Sequence, residues 1–172
     1  KRTLYELFGD KETLIHLSLS HHFDSLREEH KELCKGAENT IDAIYIVLSN
    51  IIKSGHITSR LMNNLNKFYP RLHQQIIEEH SQSNRSGLKT MILRGIEEGI
   101  FSEKFNIELA INILYSSANS AHSSLISLIP EGMRGEDVIV QIVTTFFRGL
   151  STPKGLEIID MCLDKHSSSL KR

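Results

Sequence analysis

Apolar side chains recur every third or fourth residue along nearly the whole chain, the period of helices that bury one face. Strand signals, meaning strict alternation between turn dipeptides, are nearly absent. Leu4, Leu7 and Phe8 mark a short first helix that Gly9 terminates. Asp10 reads as the N-cap of the next, which opens with Lys11 and Glu12. That helix carries Ile15, Leu19, Phe23, Leu26, His30 and Leu33 on one stripe and stops at Gly36. A third is expected over 38–53, with Ile41, Ile44, Tyr45, Leu48, Ile51 and Ile52 on one face and Gly55 as its breaker. A shorter one over 58–68 ends before Pro70, because the residue preceding a proline is pushed out of helical geometry. The stripe Leu72, Ile76, His80, Asn84, Leu88, Met91 and Gly95 predicts one long helix from Arg71 to Gly99. Its centre, 81–87, is poor in helix formers, so a kink or break is expected there.

Two strongly apolar helices follow. Ile107, Ala110, Ile111, Leu114, Ala118, Ala121, Leu125 and Leu128 mark one over 106–128, and Val138, Ile142, Val143, Phe146, Phe147 and Leu150 the other. Pro153, at a first-turn position, starts a short terminal helix to about Leu163, and a polar tail that is expected to fray follows it. The pattern predicts an all-α multi-helix bundle.

Composition narrows the classes. A chain of 172 residues suffices for one domain with a real core. Twenty basic against twenty-one acidic residues give net −1, which excludes a global basic field. Cys34 and Cys162 cannot build a disulfide framework or a four-cysteine zinc site, and they read as spectators in a reducing, cytoplasmic compartment. No apolar run approaches the roughly 20 residues that span a bilayer, so no membrane partner is expected. Nine histidines invite a metal reading. However, His21, His22, His73 and His80 form no i, i+4 pair, and no HExxH or Cys-His cluster occurs, so no metal or other cofactor is expected. No phosphate-cradling glycine loop and no nucleophile elbow is present, and an enzyme is not expected.

The N-terminal segment carries the clearest chemistry. It reads as a two-turn helix, a tight Gly9-Asp10 turn and a capped helix start. Lys1, Arg2, Thr3, Tyr5 and Lys11 supply donors for phosphates, while Leu4, Leu7, Phe8 and Leu14 pack beneath. That is the build of a recognition helix, although any amphipathic helical hairpin gives the same spacing. The chain opens at Lys1 in what reads as mid-helix, so it is expected to be N-terminally incomplete.

The wording Thr3-Leu4-Tyr5-x-x-Phe8-x-x-Lys11-x-x-Leu14 resembles the signature of TetR-type transcriptional regulators across the recognition helix and the start of the fourth helix. Gly95-Ile96-Glu97-Glu98-Gly99-Ile100-Phe101 resembles the segment that closes the long seventh helix in many members, and Phe146-Phe147-Arg148-Gly149-Leu150 the end of the ninth. The resemblance implies a TetR-type bundle with a truncated helix-turn-helix. Residues 1–20 would be the remnant of the DNA-binding domain and 21–172 a helical ligand-binding and dimerisation domain. It places Thr3 and Tyr5 against DNA, with Tyr5 and Lys11 on phosphates; Lys1 and Arg2 adjoin them. The family's first two helices have no counterpart here, so the chain as written is expected to bind operator DNA poorly.

The run 116–124 is rich in small residues inside an otherwise apolar helix, and the following helix brings bulky Ile142 and Phe146. The resemblance implies a homodimer through this helix pair, with Ser116, Ser120, Ser123, Ile142 and Phe146 at the interface; the alternative is an intrachain core. It also implies a small-molecule effector held in the body. Polar residues on apolar stripes are the candidates for holding it: Tyr45, His80, Asn84, Asn119 and His122. Each is equally readable as a satisfied buried group or a solvent-facing one. The reading is a DNA-binding regulator, a repressor released or modulated by its ligand. The alternatives are a helical ligand-sensing or protein-interaction module that does not act on DNA, and an all-α enzyme whose site is not legible.

Overall fold

The computed structural model describes residues 9–123 and 132–170, without the side chains of 54–59, 118–123, 136 and 166–170. Within them lie six helices: α1 (Lys11–Cys34), α2 (Thr40–Phe68), α3 (Pro70–Glu97), α4 (Ile107–Ser123), α5 (Gly135–Leu150) and α6 (Pro153–Leu170). Among the described residues the β structure is a single bridge between Phe101 and Ser151. The fold is all-α. The expected helix opened by Asp10 is present, and the Asp10 carboxylate accepts the Thr13 amide at 2.7 Å. The helix expected to end at Phe8 lies outside the described residues, as does the chain from 124 to 131.

Two boundaries differ from those expected. The helices predicted over 38–53 and 58–68 are one helix, α2, running through Gly55. A single interior glycine costs about 1 kcal/mol relative to alanine, too little to break a helix whose two halves both pack. Ile41, Ile44, Tyr45, Leu48 and Ile52 bury on one side of Gly55 and Leu65 on the other. The one long helix expected from Arg71 to Gly99 is present as α3, and it carries no break at 81–87. The terminal helix extends to Leu170 rather than Leu163, so the expected frayed tail is helical up to that residue.

The core lies in two clusters along the α2–α3 pair. The larger joins Ile41, Ile44, Tyr45 and Leu48 of α2, Ile92 of α3, Ile111 of α4, Phe147 of α5 and Ile159 of α6. The smaller joins Leu19 of α1 to Leu65, Leu72 and Ile76 at the other end of the pair. Each fully buried aliphatic side chain contributes about 1.5–3 kcal/mol, against about 0–1 for an exposed ion pair such as Lys31–Glu28. The apolar clusters therefore set the architecture, and the surface pairs decorate it.

A compact junction ties four helix ends together. At the end of α3 the Ile100 amide donates to the Gly95 carbonyl at 2.8 Å and the Gly99 amide to Ile96 at 2.9 Å, a Schellman turn. It needs the left-handed conformation that Gly99 supplies, φ +69°. The turn delivers Ile100 and Phe101 to the α5–α6 connection, where the Ser102 amide donates to Leu150 and the Thr152 amide to Ile100, both at 2.9 Å. Thr152 caps α6 by accepting the Gly155 amide, just before Pro153 at the first helical position. Glu98 closes the junction, its carboxylate accepting the Thr40 amide at 2.8 Å at the start of α2 and Arg94 Nε at 2.7 Å.

Two glycines in the junction have no room for a side chain. A Cβ on Gly95 would collide with the Phe101 ring, and one on Gly155 with the Ile100 carbonyl oxygen and Ser151. Gly87, mid-helix in α3, has open space instead. Gly155→Ala should therefore destabilise the protein by about 2 kcal/mol, whereas Gly87→Ala should stabilise it by about 0.5–1 kcal/mol, both read from urea unfolding midpoints.

Burial raises the Glu98 pKa, but the Thr40 amide and Arg94 outweigh it and hold the carboxyl below its ordinary value. A lowered folded-state value adds stability above the ordinary glutamate range, and that stability is lost as pH falls through the folded value. Glu98→Gln should cost about 1 kcal/mol near neutrality, and its stability should converge on the parent's as pH falls below the ordinary glutamate range.

Candidate nucleic-acid interface and regulatory body

Lys11 begins α1, exposed, with its ammonium 5.4 Å from the centre of the Tyr69 ring. Just before it, Gly9 takes φ +73°, a left-handed turn that redirects the chain into the helix. Accepting the Thr13 amide is the leading cause that lowers the Asp10 carboxyl, which stays ionised as the helix cap. Tyr69 belongs to the tight α2–α3 connection. There Pro70 forces a break after Phe68, and Tyr69 takes φ −140°, ψ 62°. Lys1, Arg2, Thr3 and Tyr5 lie outside the described residues.

From Lys11 the helix runs into the body without interruption through position 20, so α1 is common to the two domains expected there. Its buried Leu19, with Ile15 and Phe23, packs on Leu65, Met62, Tyr69, Leu72 and Ile76. Polar contacts with α3 continue the same seam. His16 Nε2 lies 2.9 Å from the Glu79 carboxylate, and Arg27 Nη1 lies 3.0 Å from His80 Nδ1. The Phe23 ring sits 4.3 Å from the His80 ring. Sequence reasoning placed Phe23 and His80 on their stripes but missed that the stripes face each other, and it missed Tyr69, Arg27, His16 and Glu79. The signal was present as two i, i+4 ladders, Ile15-Leu19-Phe23 and Leu72-Ile76-His80, though periodicity gives no partner for a ladder.

The five effector candidates fall in different settings. Tyr45 is 1% exposed in the main core, its hydroxyl 2.8 Å from Thr144 Oγ1, and burial raises its pKa. His80 is half-buried at the α1–α3 seam, and Asn84 is exposed one turn further along α3. Asn119 and His122 sit on the last turns of α4, where side chains are not described.

At the expected dimer face, Ser116 is exposed, and the side chains of Ser120 and Ser123 are not described. Ile142 and Phe146 line a groove of about 370 Å³ between α4 and α5, together with Ile113, Ser117, Gln141 and Thr145. Leu109 and Ile113 on α4, one turn apart, are 58% and 52% exposed. The opposite side of α5 turns Thr144 and Phe147 inward, with Phe147 5.5 Å from Phe101. Among the described residues no three His, Cys, Asp or Glu side chains gather as metal ligands. Among them, too, no helix is long and apolar enough to cross a membrane.

No family model matches the chain, and no curated protein matches it. Among solved structures, the chain is similar to the ketosteroid transcriptional regulator KstR2 of Mycobacterium tuberculosis. The likeness has a TM-score of 0.57 and covers 87% of this chain and 78% of that one, at 18% sequence identity. The fold is thus the TetR-like fold that the motifs implied.

The buried Tyr45–Thr144 pair gives a direct test of what holds α2 to α5. Tyr45→Phe leaves the Thr144 hydroxyl buried without its partner and should cost about 1–3 kcal/mol in urea unfolding. Adding Thr144→Val should recover part of that loss, because both polar groups are then gone.

Proposed function

We propose that the chain is part of a DNA-binding transcriptional regulator that works as a homodimer and is modulated by a small molecule held in its helical body. The observation that carries the reading is the N-terminal motif running directly into α1 of a TetR-like fold, with Lys11 exposed at the helix start. In this reading Lys1, Arg2, Thr3, Tyr5 and Lys11 face the operator, and residues 1–20 belong to the DNA-binding unit. Lys11 and Tyr5 position the protein on phosphates, and the residues ahead of them reach bases or backbone.

A second copy of this chain would cover the α4–α5 groove and the open Leu109 and Ile113 in an isologous contact. Ser116, Ser120 and Ser123 would let the paired helices approach closely, with Ile142 and Phe146 as the bulky anchors. The effector would act by favouring one placement of the two recognition helices over another, which requires unequal affinity for the two states. Tyr45, His80, Asn84, Asn119 and His122 are the residues whose substitution tests its seat.

Binding of the full-length gene product to DNA from upstream of its own gene, followed by fluorescence anisotropy across a salt series, tests the reading. Tight, salt-dependent binding is expected. Lys11→Ala should weaken it on every sequence and reduce the salt slope by about 1, the signature of one lost phosphate contact. An unchanged slope would remove Lys11 from the interface, and no binding at low salt would defeat the regulator reading. Sedimentation should show a dimer at micromolar concentration, and Ile113→Asp should shift it towards monomer.

A further inference from the structure

We propose that His80 is a pH-sensitive latch between α1 and α3, closed while its ring is neutral and released when the ring takes up a proton. A guanidinium has only donors, so Arg27 Nη1, 3.0 Å from His80 Nδ1, donates and Nδ1 offers its lone pair. The ring proton therefore sits on Nε2, which is buried with no partner. The Phe23 ring at 4.3 Å covers the imidazole from α1. Arg27 is itself held by Asp24, one turn earlier on the same helix.

A second proton can enter only at Nδ1. It converts the Arg27 contact into two donors and two positive charges facing each other, and it leaves the imidazolium poorly solvated. The surrounding groups are few. From α1 come Arg27 and His16, which oppose the proton, and Asp24, which favours it. On α3 itself Glu79 favours it, but that carboxylate is occupied by Gln75 and His16. From α2 the described side chains packed on this seam, Met62 and Leu65, are apolar. Burial first and Arg27 second hold the His80 pKa below its ordinary 6.5.

The consequence has a definite sign. A histidine whose folded value is lowered binds its proton sooner once the contact opens, so acid favours the open form. The latch is intact above the ordinary histidine range and fails as pH falls below it. What it releases is the central part of α1, the helix that begins at Lys11. The inference stands on the α1–α3 contact alone and does not depend on DNA binding.

Hydrogen exchange of the whole chain, followed by mass spectrometry at about pH 7.5 and about pH 5.5 and corrected for the intrinsic pH dependence, tests it. Peptides covering 15–27 should exchange severalfold faster at the lower pH. His80→Asn keeps an oxygen acceptor for Arg27 but does not titrate, and in that variant the two conditions should agree. Equal protection at both pH values in the parent chain would overturn the latch. So would an Asn variant that loosens as much as the parent, since another group would then carry the effect. An NMR titration of His80 in the parent chain is independent of the variant's folding. A midpoint below the ordinary histidine value supports the latch, and one at or above it overturns the latch.

Discussion

The contact on which the rest of this structure depends is the close approach of the α3 C-terminal turn to the α5–α6 connection. Gly99 turns the chain left-handed, Ile100 and Phe101 cross over, and the Ile100 carbonyl lies where only a glycine at 155 can pass. From this one place the end of α3, the end of α5 and the start of α6 are fixed by main-chain hydrogen bonds. Glu98 extends the same junction to the start of α2. Four helix ends are thereby set by hydrogen bonds, and the apolar core fills in between them. Helices joined this way have little freedom to slide at that end, whereas the other end of the α2–α3 pair is held differently.

At the opposite end of the α2–α3 pair the contacts are of another kind. There α1 is held by a smaller apolar cluster and by a seam of polar contacts: His16 to Glu79, Arg27 to His80, Lys11 over Tyr69. Such contacts are individually weak and sensitive to charge. A small differential free energy at such a seam is enough to shift α1 without unfolding the core. In the proposed reading the seam lies between the body and the DNA-contacting residues.

Much of this was legible in the sequence. The 3.6-residue period gave the all-α class, Asp10 and Pro153 gave two helix starts, and the glycine-spaced segment 95–101 marked the end of α3. The two absent breaks share one cause. Gly55 and the polar stretch 81–87 look like breakers locally, but tertiary packing on both sides carries the helix through them. The candidate site was legible in kind more than in place. His80 was picked as a polar residue on an apolar stripe, yet its partners Arg27 and Phe23 sit on a helix more than fifty residues earlier, and periodicity does not report such contacts. Tyr45 was picked on the same grounds, and its partner Thr144 is ninety-nine residues away. Asn84 shared the stripe but is exposed, one turn beyond the His80 contact with α1.

The central claim is that this TetR-like body positions a pair of DNA-reading helices. The most direct measurement is selection of bound fragments from sheared genomic DNA by the full-length gene product, followed by sequencing. The account predicts enrichment of short pseudo-palindromic sites, with two half-sites spaced to suit a two-fold dimer on successive major grooves. Recovery with no enriched sequence, or of single half-sites without symmetry, would contradict it.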